Sequence, residues 1–186
     1  MRNWLATMVV GVALAGCAGR PQAVAMKAPP PAVPAPPAPT PINAGLSEAG
    51  ALWHLRAGLN VAALACRGPD GAALAQRYNA LLARHAAELA AAETAYAAKY
   101  RAAGGGWRVR YDGAMTRLYN FFGQARGHDA FCRAAGTMLA ELDVAPDAAF
   151  PAEARARLAT LDQPFAPPWL AVDPGVFGAP LRVAAR

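Results

Sequence analysis

The sequence has few of the residues that build β-sheets. Valine, isoleucine and threonine are sparse among its 186 residues, whereas alanine is abundant. Because alanine has the highest helix propensity and β-branched residues favour strands, this composition excludes a large sheet and predicts an all-α domain. Serine is also scarce, since Ser47 is the only one, and its position before an apolar helical pattern assigns it to a helix cap. A serine-nucleophile enzyme is therefore excluded.

An apolar run near the start of the chain ends in the motif Leu14-Ala15-Gly16-Cys17. The run from Trp4 follows the single positive residue Arg2. It is about as long as the core of a signal peptide and shorter than the roughly 20 residues of a membrane-spanning helix. It therefore predicts an export signal over residues 1–16. The motif at its end resembles the lipobox of bacterial lipoproteins.

The resemblance to lipoproteins implies that Cys17 is diacylated and becomes the first residue of the mature chain. The protein would then be held at the membrane of the cell envelope by a lipid anchor. Residue Ala18 is not an aspartate, so similarity to lipoprotein sorting in enteric bacteria favours the outer membrane, on its periplasmic side. The alternative is an ordinary secretory signal cleaved near Ala18, with Cys17 incidental.

A proline-rich stretch follows the motif and occupies much of residues 17–45. Proline cannot continue a helix, and the stretch lacks the large apolar side chains that build a core. We expect a stiff polyproline tether that holds the domain up to roughly 80 Å from the membrane, at about 3.1 Å per residue. A docking site for a proline-recognition module is the alternative interpretation.

Apolar residues recur at alternating spacings of three and four in the next segments, which is typical of core-facing helices. The predicted helices run from Ser47 to Cys66, from Asp70 to about Ala102, from Trp107 to about Ala125, from His128 to Leu142, and from Pro151 to Leu161. They predict an up-and-down helical bundle over residues 46–162, with four main helices and a short fifth. The second helix, about 50 Å long, exceeds its partners, so its distal part should project or bend.

The first helix carries a second apolar face with Trp53, Ala57 and Leu64. Either another segment covers this face or it is a contact surface. The chain after the bundle, residues 163–186, is rich in both proline and large apolar side chains. We expect an irregular tail that packs on the bundle and covers this face.

Two cysteines remain for the folded domain, Cys66 and Cys132. In an up-and-down bundle the first helix ends where the fourth begins, so the two cysteines should meet there. An exported chain folds in an oxidising compartment, which predicts a disulfide worth about 4 kcal/mol. Zinc ligation is disfavoured because neither thiol belongs to a Cys-x-x-Cys pair and no histidine is spaced with them as in a zinc site.

The three histidines do not predict a metal site. His85 and Glu88 share a helix face, but the order is the reverse of the Glu-x-x-His pairs in di-iron bundles. His54 and His128 belong near opposite ends of the bundle, so the three should not converge. With no convergent carboxylate pair and no free thiol either, the sequence predicts no metal, no cofactor and no catalytic residue.

The formal charge is +6, and arginine supplies most of the cations. Such a surplus suits an anionic surface such as lipid headgroups or cell-wall carboxylates. The arginines are scattered rather than clustered, and an arginine- and alanine-rich composition is also typical of GC-rich coding sequences. Export removes nucleic acid as a partner.

These observations predict a membrane-anchored envelope lipoprotein whose bundle is a non-enzymatic binding or scaffolding module for an envelope protein, a glycan or an anionic surface. The candidate contact residues are Trp53, Arg56, Asn60, Trp107 and Trp169. The alternative is a small-molecule carrier or enzyme on the periplasmic side. Its pocket would lie among Trp53, His85, Tyr119 and Phe122.

Overall fold

The computed structural model describes residues 38–166, and these residues form an all-α fold without a strand, as the sequence predicts. The helices are α1 (Glu48–Ala65), α2 (Gly71–Arg84), α3 (Ala86–Ala102), α4 (Trp107–Phe122), α5 (His128–Val144), α6 (Ala149–Ala152) and α7 (Ala154–Asp162), and a 3₁₀ turn covers Gln163–Phe165. The predictions for residues 1–16, for Cys17, for the polyproline run and for Trp169 lie outside the described residues.

Helix α1 occupies the centre of the fold. It begins after Ser47, whose hydroxyl accepts a hydrogen bond from the Gly50 N–H at 3.1 Å. It packs against α2, α3, α4, α5 and α7. A helix that is apolar on several sides must be surrounded, which is why Trp53 and Ala57 are buried here. Other helices therefore cover this face at Trp53 and Ala57, which is the first of the two alternatives that the sequence leaves open, whereas Leu64 is 64% exposed.

The predicted long second helix is divided by a kink at His85. The backbone of His85 leaves the helical region, with φ −111° and ψ 26°. Its side chain is 1% exposed, and the imidazole lies 4.7 Å from the ring of Phe150, measured between ring centres. Helix α2 packs against α1 and α5, whereas α3 packs against α1 and α4. The bend, which the sequence predicts, thus lets the two halves of one long segment pack against different sides of the core.

Several helix ends differ from the predicted ones. Asp70 precedes α2, but its side chain makes no capping hydrogen bond. Helix α4 ends at Phe122 rather than near Ala125. The predicted fifth helix from Pro151 is instead two pieces, α6 and α7, because the backbone turns at Glu153.

The folded unit extends beyond the predicted bundle at both ends. The sequence predicts that the tether continues to residue 45, but Thr40 and Asn43 are buried. At the other end Phe165, predicted to belong to the tail, is 3% exposed. Its ring lies 5.1 Å from that of Phe121 and 5.2 Å from that of Phe131. The tail therefore packs on the bundle at this residue, and the tail beyond residue 166 lies outside the described residues.

A disulfide joins Cys66, which follows α1, to Cys132 in the second turn of α5. Their Cα atoms are 5.6 Å apart. This is the pairing that the sequence predicts. It ties the end of the central helix to the start of α5, and the sequence separation of 66 between the cysteines makes the enclosed loop a large one.

Gly58 provides a test of the close packing around α1. A Cβ at this position would lie 2.7 Å from Leu161 Cδ2 and 3.1 Å from Phe122 Cζ. We predict that Gly58→Ala lowers the free energy of unfolding by up to about 2 kcal/mol, because an overpacking cost of about 1–3 kcal/mol outweighs the roughly 1 kcal/mol gained in helix propensity. Urea denaturation of the purified protein measures the change.

Gly136→Ala in α5 is the matched control. The nearest atom to a Cβ there is Leu74 Cδ1, at 4.0 Å, an ordinary van der Waals distance. This variant should gain about 0.5–1 kcal/mol. Equal stabilities of the Gly58→Ala and Gly136→Ala variants would contradict the tight contact at Gly58.

Candidate functional site

A chain of buried polar groups begins at Asp162, the last residue of α7, which is 0% exposed. Its carboxylate accepts hydrogen bonds from the Thr40 N–H, from the Thr40 hydroxyl at 2.7 Å and from Asn43 Nδ2 at 2.9 Å. A buried carboxylate needs such donors to offset its lost hydration. Asp162 therefore holds the segment before α1 against α7.

The chain continues from Asn43 into the bundle. Asn43 Oδ1 lies 2.8 Å from His54 Nδ1, His54 Nε2 lies 2.8 Å from the Tyr96 hydroxyl, and that hydroxyl lies 3.1 Å from the Tyr100 hydroxyl. Because the Asn43 amide donates to Asp162, its oxygen faces His54, and Nδ1 must donate to it. Nε2 then accepts from Tyr96, which in turn accepts from Tyr100. Every proton in the chain has an assigned position.

The electrostatic environment keeps this chain uncharged between Asn43 and Tyr100. Burial, and secondly the nearby Lys99 ammonium, lower the pKa of His54 from 6.5 to about 4. Burial also raises the pKa of Tyr96, with the hydrogen bond to Tyr100 adding to the shift. Both rings are therefore neutral at neutral pH, and both nitrogens of His54 are engaged. These hydrogen bonds hold the segment around Asn43 against the bundle. Because both ring nitrogens of His54 are hydrogen-bonded, neither is free to act as a base.

A cleft of about 260 Å³ lies above the outer end of this chain, and we name it the Lys99 cleft. Its walls are the segment around Ala44, the rings of Tyr96 and Tyr100, and the side chains of Lys99 and Arg117. The Lys99 ammonium lies 3.9 Å from the centre of the Tyr96 ring and 4.9 Å from that of Tyr100. No aspartate or glutamate lines the cleft. The cleft thus presents two cations to a ligand.

A larger groove of about 600 Å³ lies beside the disulfide, and we name it the disulfide groove. Its lining includes both cysteines, His128 and three arginines, Arg67, Arg77 and Arg133. His128 Nε2 is 3.6 Å from Cys132 Sγ. The sequence argument that no histidine is spaced with the thiols missed this pair, which the four-residue separation of His128 and Cys132 on one helix could have revealed.

The predicted contact residues do not form one surface. Trp53 is 8% exposed, so it belongs to the core rather than to a contact surface. Arg56 Nη1 donates to the Tyr119 hydroxyl at 2.9 Å, and the Arg56 guanidinium lies 5.1 Å from the centre of the Trp53 ring. Asn60 is half-buried on the same helix. Trp53, Arg56 and Tyr119 therefore form an internal cluster between α1 and α4.

Trp107 lies elsewhere, at the start of α4. It is half-buried, and the guanidinium groups of Arg101 and Arg108 lie 5.0 and 4.8 Å from the centre of its ring. These cation–π contacts stabilise the junction between α3 and α4. Trp107 thus forms a separate cationic patch.

The pocket predicted among Trp53, His85, Tyr119 and Phe122 does not coincide with a principal cavity of residues 38–166. None of the principal cavities in residues 38–166 is lined by any of these four side chains. His85 packs on Phe150, and Phe122 is fully buried against Phe131. Two of the four side chains are therefore packed against aromatic rings of other helices.

The three histidines occupy three separate environments, as the sequence predicts. His54 belongs to the buried polar chain, His85 to the aromatic contact at the α2–α3 kink, and His128 to the disulfide groove. They cannot ligate one metal ion together.

Comparisons with known proteins identify no relative. No protein-family model, no curated protein and no solved structure matches the chain. Between residues 38 and 166, no helix has the length and apolar character needed to cross a membrane.

The low pKa of His54 predicts a loss of stability in acid. The pKa is about 4 in the folded state and 6.5 in the unfolded chain. Between these values the unfolded state binds more protons, so the free energy of unfolding falls as the pH falls. At 1.36 kcal/mol per pKa unit, the loss from His54 between pH 7 and pH 4 is about 3 kcal/mol. Urea denaturation across this pH range measures it.

His54→Gln is the control for this prediction, because glutamine keeps hydrogen-bonding capacity but does not titrate. The variant should be less stable at pH 7 but should lose less stability on acidification than the wild type. The same pH dependence in both proteins would show that His54 does not carry the effect.

Proposed function

We propose that the protein is a lipid-anchored lipoprotein of the cell envelope whose helical domain is a non-enzymatic binding module. The resemblance to a lipobox at Cys17 and the proline-rich sequence that follows it support this location, with the outer membrane favoured. The disulfide between Cys66 and Cys132 supports export, because such bonds persist in oxidising compartments.

The observation that carries the binding proposal is the pair of cations in the Lys99 cleft. Lys99 and Arg117 line one cleft of about 260 Å³ that contains no acidic side chain. The Tyr100 hydroxyl donates its proton to Tyr96 and is not available to donate to a ligand. Lys99 and Arg117 are the charged donors of the cleft. A carboxylate or phosphate group on an envelope glycan or lipid matches this chemistry.

The position of the cleft suits a tethered module. One wall is the segment around Ala44, which directly follows the proline-rich sequence. The buried chain from Asp162 through Asn43 to His54 holds this segment in place. The cleft therefore borders the residues that directly follow the proline-rich sequence.

The buried polar chain also supports a non-enzymatic module. Asn43 separates Asp162 from His54, so the carboxylate cannot stabilise a protonated imidazole directly. Tyr96 occupies the other ring nitrogen. The alternative proposal, a carrier or enzyme with a pocket near Trp53, His85, Tyr119 and Phe122, has less support because these side chains share no principal cavity of the described domain.

The lipid anchor predicts a change in cell fractionation. Cys17→Ala removes the acceptor of the diacyl group, so the protein should move from the membrane fraction to the soluble fraction and lose the mass of the lipid. Fractionation followed by mass spectrometry measures both. Continued membrane attachment with an unchanged mass would contradict lipidation.

The Lys99 cleft predicts a charge-dependent interaction. The full chain carrying Cys17→Ala should bind isolated peptidoglycan sacculi, which carry carboxylates, or lipopolysaccharide, which carries phosphates. Adding Lys99→Gln and Arg117→Gln should weaken binding at least roughly tenfold, because each removes one charge-assisted hydrogen bond. Co-sedimentation at two salt concentrations measures the affinity, and the two probes separate the two sources of anion.

Arg101→Gln with Arg108→Gln is the matched control. It changes the net charge by the same amount at the Trp107 patch, outside the Lys99 cleft. This pair should leave binding within about twofold of the parent chain. An equal loss of binding in both double variants would show that net charge alone explains the interaction, and it would contradict specific binding in the Lys99 cleft.

A further inference from the structure

The disulfide groove brings together three side chains with the chemistry of soft metal ligands. Cys66 follows α1, His128 opens α5 and Cys132 lies one turn further along the same helix. The ligand atoms of the three, two Sγ and one imidazole nitrogen, all lie within 4.8 Å of one another. Because the set comes from two helices far apart in sequence, only the fold assembles it.

The spacing within this set matches a tetrahedral zinc site. With Zn–S near 2.3 Å and Zn–N near 2.05 Å, tetrahedral angles place a sulfur and a nitrogen ligand about 3.6 Å apart. The distance from His128 Nε2 to Cys132 Sγ is 3.6 Å. His128 Nε2 and Cys132 Sγ therefore already lie at the required separation. The remaining change is cleavage of the disulfide, which lets Cys66 Sγ move away from Cys132 Sγ.

Access and charge also suit a cation once the disulfide is open. His128 and Cys132 are half-buried, and both line the open groove. The other charged residues of the lining are three arginines and two aspartates, Asp70 and Asp129, an excess of one positive charge. Two thiolates change this to an excess of one negative charge. An aspartate of the same lining or a water molecule can supply the fourth ligand.

We propose that the disulfide groove is a redox-gated Zn²⁺ site, ligated by Cys66, Cys132 and His128 when the disulfide is reduced. A dithiol reductant delivers two electrons and two protons to the disulfide and becomes a disulfide itself. Zn²⁺ then displaces the two thiol protons, and neutral His128 donates its Nε2 lone pair. The metal then links the end of α1 to α5 in place of the disulfide, so the two helices stay cross-linked.

The test uses the full chain carrying Cys17→Ala, so that Cys66 and Cys132 are its only cysteines. Zn²⁺ alone is titrated in competition with a chromophoric chelator, before and after anaerobic reduction with a phosphine. The reduced protein should bind one equivalent, whereas the oxidised protein should bind none. His128→Ala should weaken binding of the reduced form by roughly tenfold or more, since it removes one of three protein ligands.

Asp112→Asn is the matched control, because Asp112 is exposed on α4 and lies outside the groove lining. It should leave zinc affinity unchanged. The oxidised His128→Ala protein keeps its disulfide, so its circular dichroism reports whether the substitution disturbs the fold. Absence of zinc binding by the reduced protein overturns the proposal, and equal affinities of the parent and His128→Ala overturn the three-ligand assignment.

Thermal unfolding distinguishes a folded site from binding to an unfolded chain. Zn²⁺ should raise the melting temperature of the reduced parent protein and should raise that of His128→Ala less. If the reduced chain is unfolded and zinc does not restore its helical signal, the site does not exist in the folded domain and the proposal fails. None of these results depends on the Lys99 cleft.

Discussion

The burial of α1 on opposite sides along most of its length is the constraint on which the rest of the described fold depends. Leu55 and Leu59, which share one face of this helix, and Ala57, which lies on the opposite face, are all 0% exposed. Each short neighbour can cover only part of such a helix. The kink at His85 lets α2 and α3 reach different sides of the core, and the absence of a side chain at Gly58 brings Leu161 and Phe122 close to the α1 backbone.

The same close packing creates the polar end of the domain. Enclosing the end of α7 buries the Asp162 carboxylate, and a buried charge is costly without hydrogen-bond donors. Thr40 and Asn43 provide those donors, so the segment before α1 becomes part of the fold. Asn43 then orients His54, and His54 orients Tyr96. The segment around Ala44 and the ring of Tyr96 are walls of the Lys99 cleft. The buried polar chain therefore positions the proposed binding surface.

Features governed by short stretches of chain could be predicted from the sequence. The capping hydroxyl of Ser47 acts on the backbone within a few residues, and so do the three glycines at 104–106, which lie between the end of α3 and the start of α4. The pattern of helices could therefore be predicted from local chemistry. The disulfide between Cys66 and Cys132 was predictable because the up-and-down order that the helical pattern predicts limits where helix ends meet. The candidate site was not, because Thr40 and Asp162 are 122 residues apart and nothing local pairs them.

By itself, then, the sequence determined the all-α class, the positions of most helices, the cysteine pairing and the lipobox resemblance, since each depends on composition, periodicity or a contiguous motif. Only the tertiary structure decided that Trp53 is core rather than surface, that Lys99 and Arg117 share a cleft, and that His128 stands beside Cys132 and Cys66. The physical reason is that periodicity shows which helix faces are apolar, whereas the way several helices pack around one centre decides which of those faces are covered and which polar groups meet.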